Sequence, residues 1–329
     1  MKQVILFFIV FYSVAGFAQG HQLKERTPVE RHGQLSVRNG KIVDADGKAP
    51  QLRGISLSWS IWEGKKYYTP EVVRWLVADF KVSLLRVAMG VEPDGGYLQQ
   101  PEAQERLVVA VTDEAIKQGI YVLLDWHDHH ASKNAAMAKR FFEKISRRYA
   151  GKSNVIYEIW NEPEREEWKV VKDYALELIP VIRKNDRHNL IVVGSPHWDQ
   201  DVDVVAKDPV TGYDEIAYSF HFYASDPHHQ EKLMAKADVA LKAGLPLIVT
   251  EWGVGEADGN GIFDREKVKT WFDWLEANRL SSVNWNLTDK NETTALLLPG
   301  ANPEGRWPPD KLSPAGFYIR EQLREYNDK

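Results

Sequence analysis

The chain of 329 residues contains 43% hydrophobic and 27% charged residues, which excludes a mainly disordered protein and allows a large core. Its 42 basic and 47 acidic residues give a formal net charge of −5, so the chain lacks the basic surplus of a nucleic-acid-binding protein, and we expect no such partner. Cysteine is absent, which excludes disulfides, thiolate metal sites and a cysteine nucleophile. The 12 Trp, 13 Tyr and 12 Phe instead indicate surfaces on which a flat, partly apolar ligand stacks.

The first 18 residues have the pattern of a secretory signal peptide. Lys2 provides a positive start, residues 4–12 are almost entirely apolar, and small residues lead up to a cleavage position after Ala18. The apolar run is shorter than the roughly 20 residues of a spanning helix, which argues against a membrane anchor. We therefore predict a secreted or periplasmic protein that has no membrane contact once the signal is removed, with residues 19–329 forming one catalytic domain.

The rest of the chain alternates between short apolar runs and amphipathic stretches. Asn39 and Gly40 stand between two runs of alternating apolarity, which predicts a short N-terminal β-hairpin over 35–44. Eight later runs, about thirty residues apart, predict an α/β fold of the (β/α)8 TIM-barrel type. A doubly wound sheet is the alternative, but no Gly-rich phosphate loop follows any predicted strand. The predicted strands are 52–55, 84–87, 121–125, 155–160, 190–194, 216–221, 247–251 and 282–286, and the predicted helices are 70–80, 102–118, 133–149, 167–184, 230–243, 264–278 and 314–325.

Two glutamates stand at the ends of predicted strands. Glu162 and Glu251 end the fourth and seventh barrel strands, and functional groups of such barrels lie at the carboxyl ends of the strands. Hydrolysis of a glycosidic bond requires one carboxyl group that donates a proton and a second that attacks the sugar or activates water. A single glutamate at a strand end would be as well explained as a solvated charge. The pair, set among tryptophans, predicts a glycosidase site.

Polar and aromatic neighbours strengthen this interpretation. Arg86 is expected beside Glu251, where a cation favours the ionised carboxylate, and Tyr223 is expected to donate a hydrogen bond to the same group. Asn161 precedes Glu162 and is a candidate partner for a sugar hydroxyl. The remaining candidates around the reacting sugar are two donors and one stacking ring: His127, His221 and Trp285.

The segment 156–163, Ile-Tyr-Glu-Ile-Trp-Asn-Glu-Pro, resembles the Asn-Glu-Pro signature of glycoside hydrolase family 5. Residues 34–317 resemble its bacterial endo-β-1,4-glucanase (cellulase) branch, with 53–56, 85–87, 125–127, 219–223 and 249–253 in the order of the family. The resemblance implies a retaining double displacement on internal β-1,4 bonds of cellulose or related β-glucans, with Glu162 as acid/base and Glu251 as nucleophile. It implies supporting roles for Arg86, His127, Asn161, His221, Tyr223 and Trp285, and substrate-binding roles for Trp62, Trp198, Lys290 and Glu292.

Three alternatives remain open from the sequence. Another β-1,4 polysaccharide, namely mannan, xyloglucan or mixed-linkage glucan, is the substrate alternative. The imidazoles and carboxylates of 125–130 and 228–229 suggest a metal-dependent hydrolase, although a zinc site requires three or four convergent ligands. A non-catalytic sugar-binding protein is disfavoured, because binding requires no pair of glutamates. We expect no metal, no cofactor and a monomer whose partner is a polysaccharide or oligosaccharide.

Overall fold

The computed structural model describes residues 26–327, and the predicted signal peptide lies outside this range. The predicted (β/α)8 barrel is confirmed, because eight parallel strands pair in a closed ring. Among the described residues, none of the helices combines the length and the apolar character that a membrane crossing requires. The barrel strands are β3 (Arg53–Leu57), β4 (Leu84–Gly90), β5 (Tyr121–His127), β6 (Val155–Glu158), β7 (Ile191–Val193), β8 (Ile216–Tyr223), β9 (Leu247–Gly253) and β10 (Ser282–Leu287).

The predicted N-terminal hairpin is also confirmed. Strands β1 (Ser36–Arg38) and β2 (Lys41–Val43) pair antiparallel around Asn39 and Gly40, which have φ angles of 51° and 72°. Two successive residues of positive φ match the twist of a two-residue hairpin, and Asn-Gly is the dipeptide that tolerates them best. Leu35 before the hairpin is buried against residues at the amino ends of the barrel strands, so the hairpin covers the end of the barrel opposite the predicted site.

Helices follow most of the barrel strands and cover the outside of the barrel. Their starts obey local rules: Thr69 accepts a hydrogen bond from the Val72 N–H just before Pro70, and Asp264 accepts from the first turn of α9. The helices are α1 (Pro28–His32), α2 (Pro70–Trp75), α3 (Pro101–Gln118), α4 (Ala135–Tyr149), α5 (Trp168–Arg183), α6 (Pro196–Asp199), α7 (Val202–Val205), α8 (Glu231–Lys242), α9 (Arg265–Asn278) and α10 (Pro314–Asn327); α2 continues as a π-helix over Leu76–Phe80, and 3₁₀ turns cover Trp62–Tyr67, Ala131–Asn134 and Pro309–Lys311.

The inside of the barrel changes from apolar to polar along the strands. Because side chains alternate between the two faces of a strand, Leu84 and Arg86 of β4 both point inward, as do Leu123 and Asp125 of β5. The residues nearer the amino ends form a buried apolar cluster. The next inward residues are charged or hydroxyl-bearing, so the polar layer lies directly beneath the carboxyl ends of the strands.

Strand β9 has a β-bulge just before Glu251. Its pairing with β8 runs from Ser219–Ile248 to His221–Glu251, so β9 uses one residue more than its neighbour. Thr250 and Glu251 consequently both contact inward side chains, although a regular strand would turn them to opposite faces.

Strand β6 is shorter than predicted, since it ends at Glu158 instead of residue 160. The backbone beyond it nevertheless stays in line, because the N–H groups of Ile159 and Asn161 donate to the carbonyls of Val192 and Trp126 at 3.0 and 3.1 Å. Glu162 is thereby carried to the rim of the barrel.

Candidate active site

The two glutamates meet at the carboxyl end of the barrel. One carboxylate oxygen of Glu162 and one of Glu251 lie within 4.8 Å of each other. Their side chains are 14% and 5% exposed, so both reach the surface of a cleft. Carboxyl groups about 5–5.5 Å apart act on one anomeric carbon with retention, whereas inverting pairs stand about 6.5–9.5 Å apart. The limit of 4.8 Å observed here is shorter than the separation of inverting pairs.

Glu251 is held by two donors. Arg86 donates from Nη1 to Oε2 at 2.7 Å, and the Tyr223 hydroxyl donates to Oε1 at 2.6 Å. Burial, reinforced by the Glu251 charge, raises the pKa of Tyr223 well above its usual value, so the phenol keeps its proton and remains a donor. The two contacts occupy both oxygens of Glu251 and fix the orientation of its side chain.

Arg86 connects most of the polar layer. It is fully buried, donates from Nε to Glu158 at 2.7 Å and from Nη2 to the Asn161 amide oxygen at 2.5 Å, and lies 2.9 Å from Asp125. Burial lowers the pKa of Arg86, but the charges of Asp125, Glu158 and Glu251 raise it by more. The pKa of Arg86 therefore lies well above its usual value. Arg86 is therefore a permanent charge shared by three carboxylates.

One cation cannot fully compensate three buried carboxylates. Burial raises the pKa of Asp125 to about 8 despite Arg86, and nearby carboxylates add to the effect. Burial likewise raises the pKa of Glu158 to about 7, against the influence of Arg86. The two groups therefore take up protons in the folded protein at pH values where an unfolded chain has released them.

This shift predicts a specific pH dependence of stability for Asp125→Asn. A raised carboxyl pKa stabilises the fold at low pH, and the benefit is lost as pH rises from the unfolded value of 3.8 towards about 8. The parent should therefore lose up to about 1.4 kcal/mol of unfolding free energy per pH unit relative to the variant over that window. Urea unfolding of both proteins at several pH values measures the difference, and parallel curves would contradict the assignment.

Glu162 has different neighbours from Glu251. His221 Nδ1 lies 2.9 Å from Oε1, and His129 Nε2 lies 3.8 Å from Oε2. Burial lowers the pKa of His221 to about 4, so its ring is neutral near pH 7 and has one N–H. Its other nitrogen, Nε2, lies 2.8 Å from the Thr250 hydroxyl, and the ring thus connects Glu162 to the interior of the barrel.

Three further predicted residues surround the pair. The Nδ2 atom of Asn161 is buried and has no hydrogen-bond partner among residues 26–327, which leaves one amide donor free at the site. His127 Nδ1 lies 2.6 Å from Asp125, and burial lowers the pKa of His127 well below its usual value. Its ring lies parallel to that of Trp285, with centroids 5.3 Å apart and an angle of 2°.

Two cavities share Glu162, His129, Tyr223 and Ala257 in their walls. The first, of about 250 Å³, reaches from both glutamates to Trp62, whose side chain is 59% exposed. The second, of about 410 Å³, contains Glu162 but not Glu251 and reaches Trp198. A larger cavity of about 700 Å³ lies by α2 and residues 303–306 and contains neither glutamate, so volume alone does not locate the site.

The last two predicted residues lie in the wall of the first cavity. Lys290 Nζ is 2.7 Å from Glu292 Oε2, and the lysine is 60% exposed whereas the glutamate is only 6% exposed. The other oxygen of Glu292 accepts a hydrogen bond from Asn286 Nδ2 at 3.1 Å. The buried glutamate therefore positions an accessible ammonium group towards the cavity.

The structure adds residues that the sequence interpretation did not select. Asp125 and Glu158 belong to the polar layer, and strict alternation back from His127 along β5 would have indicated Asp125. Trp59 lines the first cavity, with its ring 4.1 Å from that of His127 and 5.5 Å from that of Trp62. No local pattern distinguishes it from a core tryptophan.

Three histidines of the metal hypothesis each contact a different carboxylate. His127 contacts Asp125, His129 lies 3.0 Å from Glu164, and His130 lies 2.9 Å from Glu92. His129 also lines both cavities.

Comparison with known proteins gives a consistent result. The family model described as cellulase (glycosyl hydrolase family 5) matches residues 43–291. Endoglucanase Z of Dickeya dadantii is 44% identical over 80% of this chain, and endoglucanase N of Pectobacterium atrosepticum is 38% identical over 96%. The chain spans 62% of the length of the first relative and 71% of the second.

Solved structures match over nearly the whole barrel. A protein from Cytophaga hutchinsonii superposes with a TM-score of 0.89 at 42% identity, covering 92% of this chain and 98% of that one. The catalytic domain of an endoglucanase from Thermobifida fusca has a TM-score of 0.86 at 31% identity and covers 91% and 100%. A variant of that domain has been solved in complex with cellotetraose.

Proposed function

Because this chain belongs to glycosyl hydrolase family 5, we propose that it is a retaining endo-β-1,4-glucanase that cleaves internal bonds of cellulose or related β-glucans. The observation that carries the proposal is the approach of Glu162 and Glu251 to within 4.8 Å, where two cavities share Glu162. Two cavities that meet at the acid suit cleavage within a chain. The relatives are named endoglucanases, and a related domain binds cellotetraose.

In the first step, Glu251 attacks the anomeric carbon of the bound sugar while Glu162 donates its proton to the leaving oxygen. The bond from carbon to the leaving oxygen breaks, and an ester to Glu251 forms. Arg86 and Tyr223 support this role by contacting both oxygens of the attacking carboxylate and fixing its orientation.

In the second step, Glu162 accepts a proton from water, and the resulting hydroxide equivalent attacks the same carbon and releases Glu251. Two inversions leave the configuration unchanged. The proton returned to Glu162 restores the acid for the next cycle.

Neighbouring groups serve the transition state in this proposal. The free Nδ2 donor of Asn161 faces no protein acceptor in the described residues and is available to a sugar hydroxyl, where such a bond strengthens as positive charge develops. His127 provides a further donor, and Trp285 offers an aromatic face beneath the reacting ring. His221 contacts the carboxyl group of the acid, Glu162, through Nδ1.

We assign the two cavities to the two halves of the substrate. Trp62, Lys290 and Glu292 would bind sugars on the non-reducing side, where the exposed indole offers a stacking surface and the ammonium a hydrogen-bond donor. Trp198 would bind the leaving-group side. The substrate alternative is another β-1,4 polysaccharide, because the catalytic groups act on the linkage common to all of them.

Release of reducing sugar from a soluble β-1,4-glucan tests the proposal. The parent should release sugar, and Glu251→Gln, which keeps the volume but removes the charge, should not. Parallel assays on mannan, xyloglucan and mixed-linkage glucan decide between the substrate alternatives. No release from any of these polymers by the parent would contradict the proposed function.

Replacing Trp62 with alanine should weaken substrate binding without unfolding the protein. The indole is 59% exposed, so its removal costs little packing, and a covering sugar would bury enough of it for about 1–2 kcal/mol. We expect KM for cellooligosaccharides to rise by about tenfold and kcat to stay close to the parent value. Leu98→Ala, which removes another partly exposed apolar side chain, is the control. Unchanged KM in Trp62→Ala would exclude the stacking role.

We also propose that residues 1–18 direct export and that residues 19–329 act as a single monomeric catalytic domain. The support is the charge and apolarity pattern of the leader described above. Sequencing the amino terminus of the exported protein should yield a chain that starts at Gln19. Retention of Met1 on exported protein would contradict the leader.

A further inference from the structure

We propose that Asp199 is a positioning residue that joins the Trp198 side of the cleft to the acid/base, by holding the α6 turn through one carboxylate oxygen and orienting the His221 ring through the other. This inference rests on the proposed function for its catalytic consequence. The contacts that carry it are independent of that function. Asp199 is not among the site residues predicted from the sequence.

The first contact is with the turn that presents Trp198. Residues His197, Trp198 and Asp199 have φ angles of 55°, 53° and 59°, a run of left-handed conformations that non-glycine residues adopt only when surrounding contacts enforce it. Asp199 Oδ1 accepts the Ser195 N–H across this turn. A side chain at Gly194 would approach this carboxylate oxygen to 3.1 Å, so the carboxylate is closely fitted.

The same turn is bonded to the segment that carries Glu162. The Trp198 N–H donates to the Pro163 carbonyl at 2.9 Å, and the His197 N–H donates to the Glu164 carbonyl at 3.0 Å. The position of Trp198 and the backbone just after Glu162 are therefore coupled. Any loosening of the turn would be transmitted to both.

The second contact is with His221. Asp199 is fully buried, and its Oδ2, which has no hydrogen-bond partner among residues 26–327, lies 3.4 Å from His221 Nε2. On its opposite side, the ring places Nδ1 2.9 Å from Glu162 Oε1. Asp199, His221 and Glu162 thus form a line from the barrel interior to the cleft.

The contacts of His221 with Asp199 and Glu162 influence which ring nitrogen has the hydrogen. Nε2 lies 3.4 Å from the Asp199 carboxylate and 2.8 Å from the Thr250 hydroxyl, which also contacts the Ser219 hydroxyl. An ionised Asp199 can only accept, so it favours a hydrogen on Nε2. Nδ1 is then a bare acceptor. A bare nitrogen forms a hydrogen bond with Glu162 Oε1 only when Glu162 has its proton, which is the form that the first step requires.

The charges around Asp199 have opposing effects. Burial raises the pKa of Asp199 well above its usual value, the Ser195 N–H lowers it, and the charges of Glu162 and Glu158 raise it further. In these surroundings, an N–H on His221 Nε2 stabilises the ionised form of Asp199. As pH rises and Asp199 ionises, the preference for this tautomer should therefore strengthen.

Imidazole nitrogen NMR tests the proposal directly on the full-length parent protein, with His221→Gln used to assign the signal. We expect the hydrogen of His221 on Nε2, with a preference that increases as pH rises and Asp199 ionises. This preference should decrease in Asp199→Asn. The control is Asp201→Asn, which removes a nearby carboxylate that contacts His197 and Lys236, and it should leave the preference unchanged. A hydrogen on Nδ1 in the parent overturns the proposal even if the variants do not fold.

Kinetics separate the two contacts. Asp199→Asn keeps an oxygen for the Ser195 N–H but loses the charge, so kcat on soluble β-glucan should fall by about tenfold or more while dinitrophenyl β-cellobioside, which needs no acid, is cleaved at nearly the parent rate. Asp199→Ala should in addition raise KM for long oligosaccharides, because the Trp198 turn loses its support.

Equal behaviour of Asp199→Asn and Asp201→Asn on both substrates would overturn the proposal. The proposed function fails separately, if the parent cleaves no β-glucan. In that case the NMR measurement still decides whether Asp199 orients His221.

Discussion

Glu251→Ala is expected to lose at least about 10⁴-fold in kcat on soluble β-1,4-glucan, because the variant lacks the proposed nucleophile. The Arg86 and Tyr223 donors that now bind the carboxylate would face the space left by the side chain. A small anion such as azide can enter this space and attack from the same side as the missing carboxylate. Azide should therefore restore turnover and yield a glycosyl azide of inverted configuration.

The natural reaction provides the comparison for this experiment. Proton NMR of the fresh hydrolysis product of the parent should show retained configuration, and azide should not accelerate the parent. Glu256→Ala, which removes a carboxylate farther along the same loop, should behave like the parent. Inversion by the parent, or failure of azide with a folded Glu251→Ala protein, would remove the nucleophile assignment.

Glu162→Gln is expected to lose about 10²- to 10⁴-fold on β-glucan, the range that a general acid contributes. The amide preserves the volume next to His221 but has no proton to give to the leaving oxygen. A dinitrophenyl β-cellobioside departs without protonation, so formation of the glycosyl-enzyme should be nearly as fast as in the parent. Its breakdown lacks a base and should be slow, which produces a burst of dinitrophenol.

Azide gives the opposite stereochemical result in this variant. It needs no base, so it should speed the breakdown of the glycosyl-enzyme and yield a glycosyl azide of retained configuration. Glu164→Gln, a change of the same kind at a carboxylate that contacts His129, is the control and should show neither the burst nor azide acceleration. Equal loss on both substrates would contradict the acid/base assignment of Glu162.

Where this site lies follows from local sequence and barrel geometry. Each apolar run is long enough for one buried strand, and the alternation with helices predicts a parallel sheet that is covered on both faces. The barrel was preferred to a doubly wound sheet because no Gly-rich phosphate loop follows any predicted strand. In that arrangement the residues after the strands share one rim, which is why Glu162, Trp198 and Trp285 could be assigned to one site although they come from different strands. The Asn39-Gly40 turn was predictable for an equally local reason, namely its backbone conformation.

The inner half of the site depends on contacts between distant segments. Regular alternation would turn Glu251 away from Thr250, and the bulge in β9 that brings both inward arises from its pairing with β8 and β10. The sharing of Arg86 among three carboxylates likewise exists only once the strands have closed into a barrel. The sequence by itself therefore determined the barrel and the rim that bears the two glutamates. The tertiary structure decided which groups contact the two glutamates, because burial and charge pairing depend on distances through space that local periodicity does not contain.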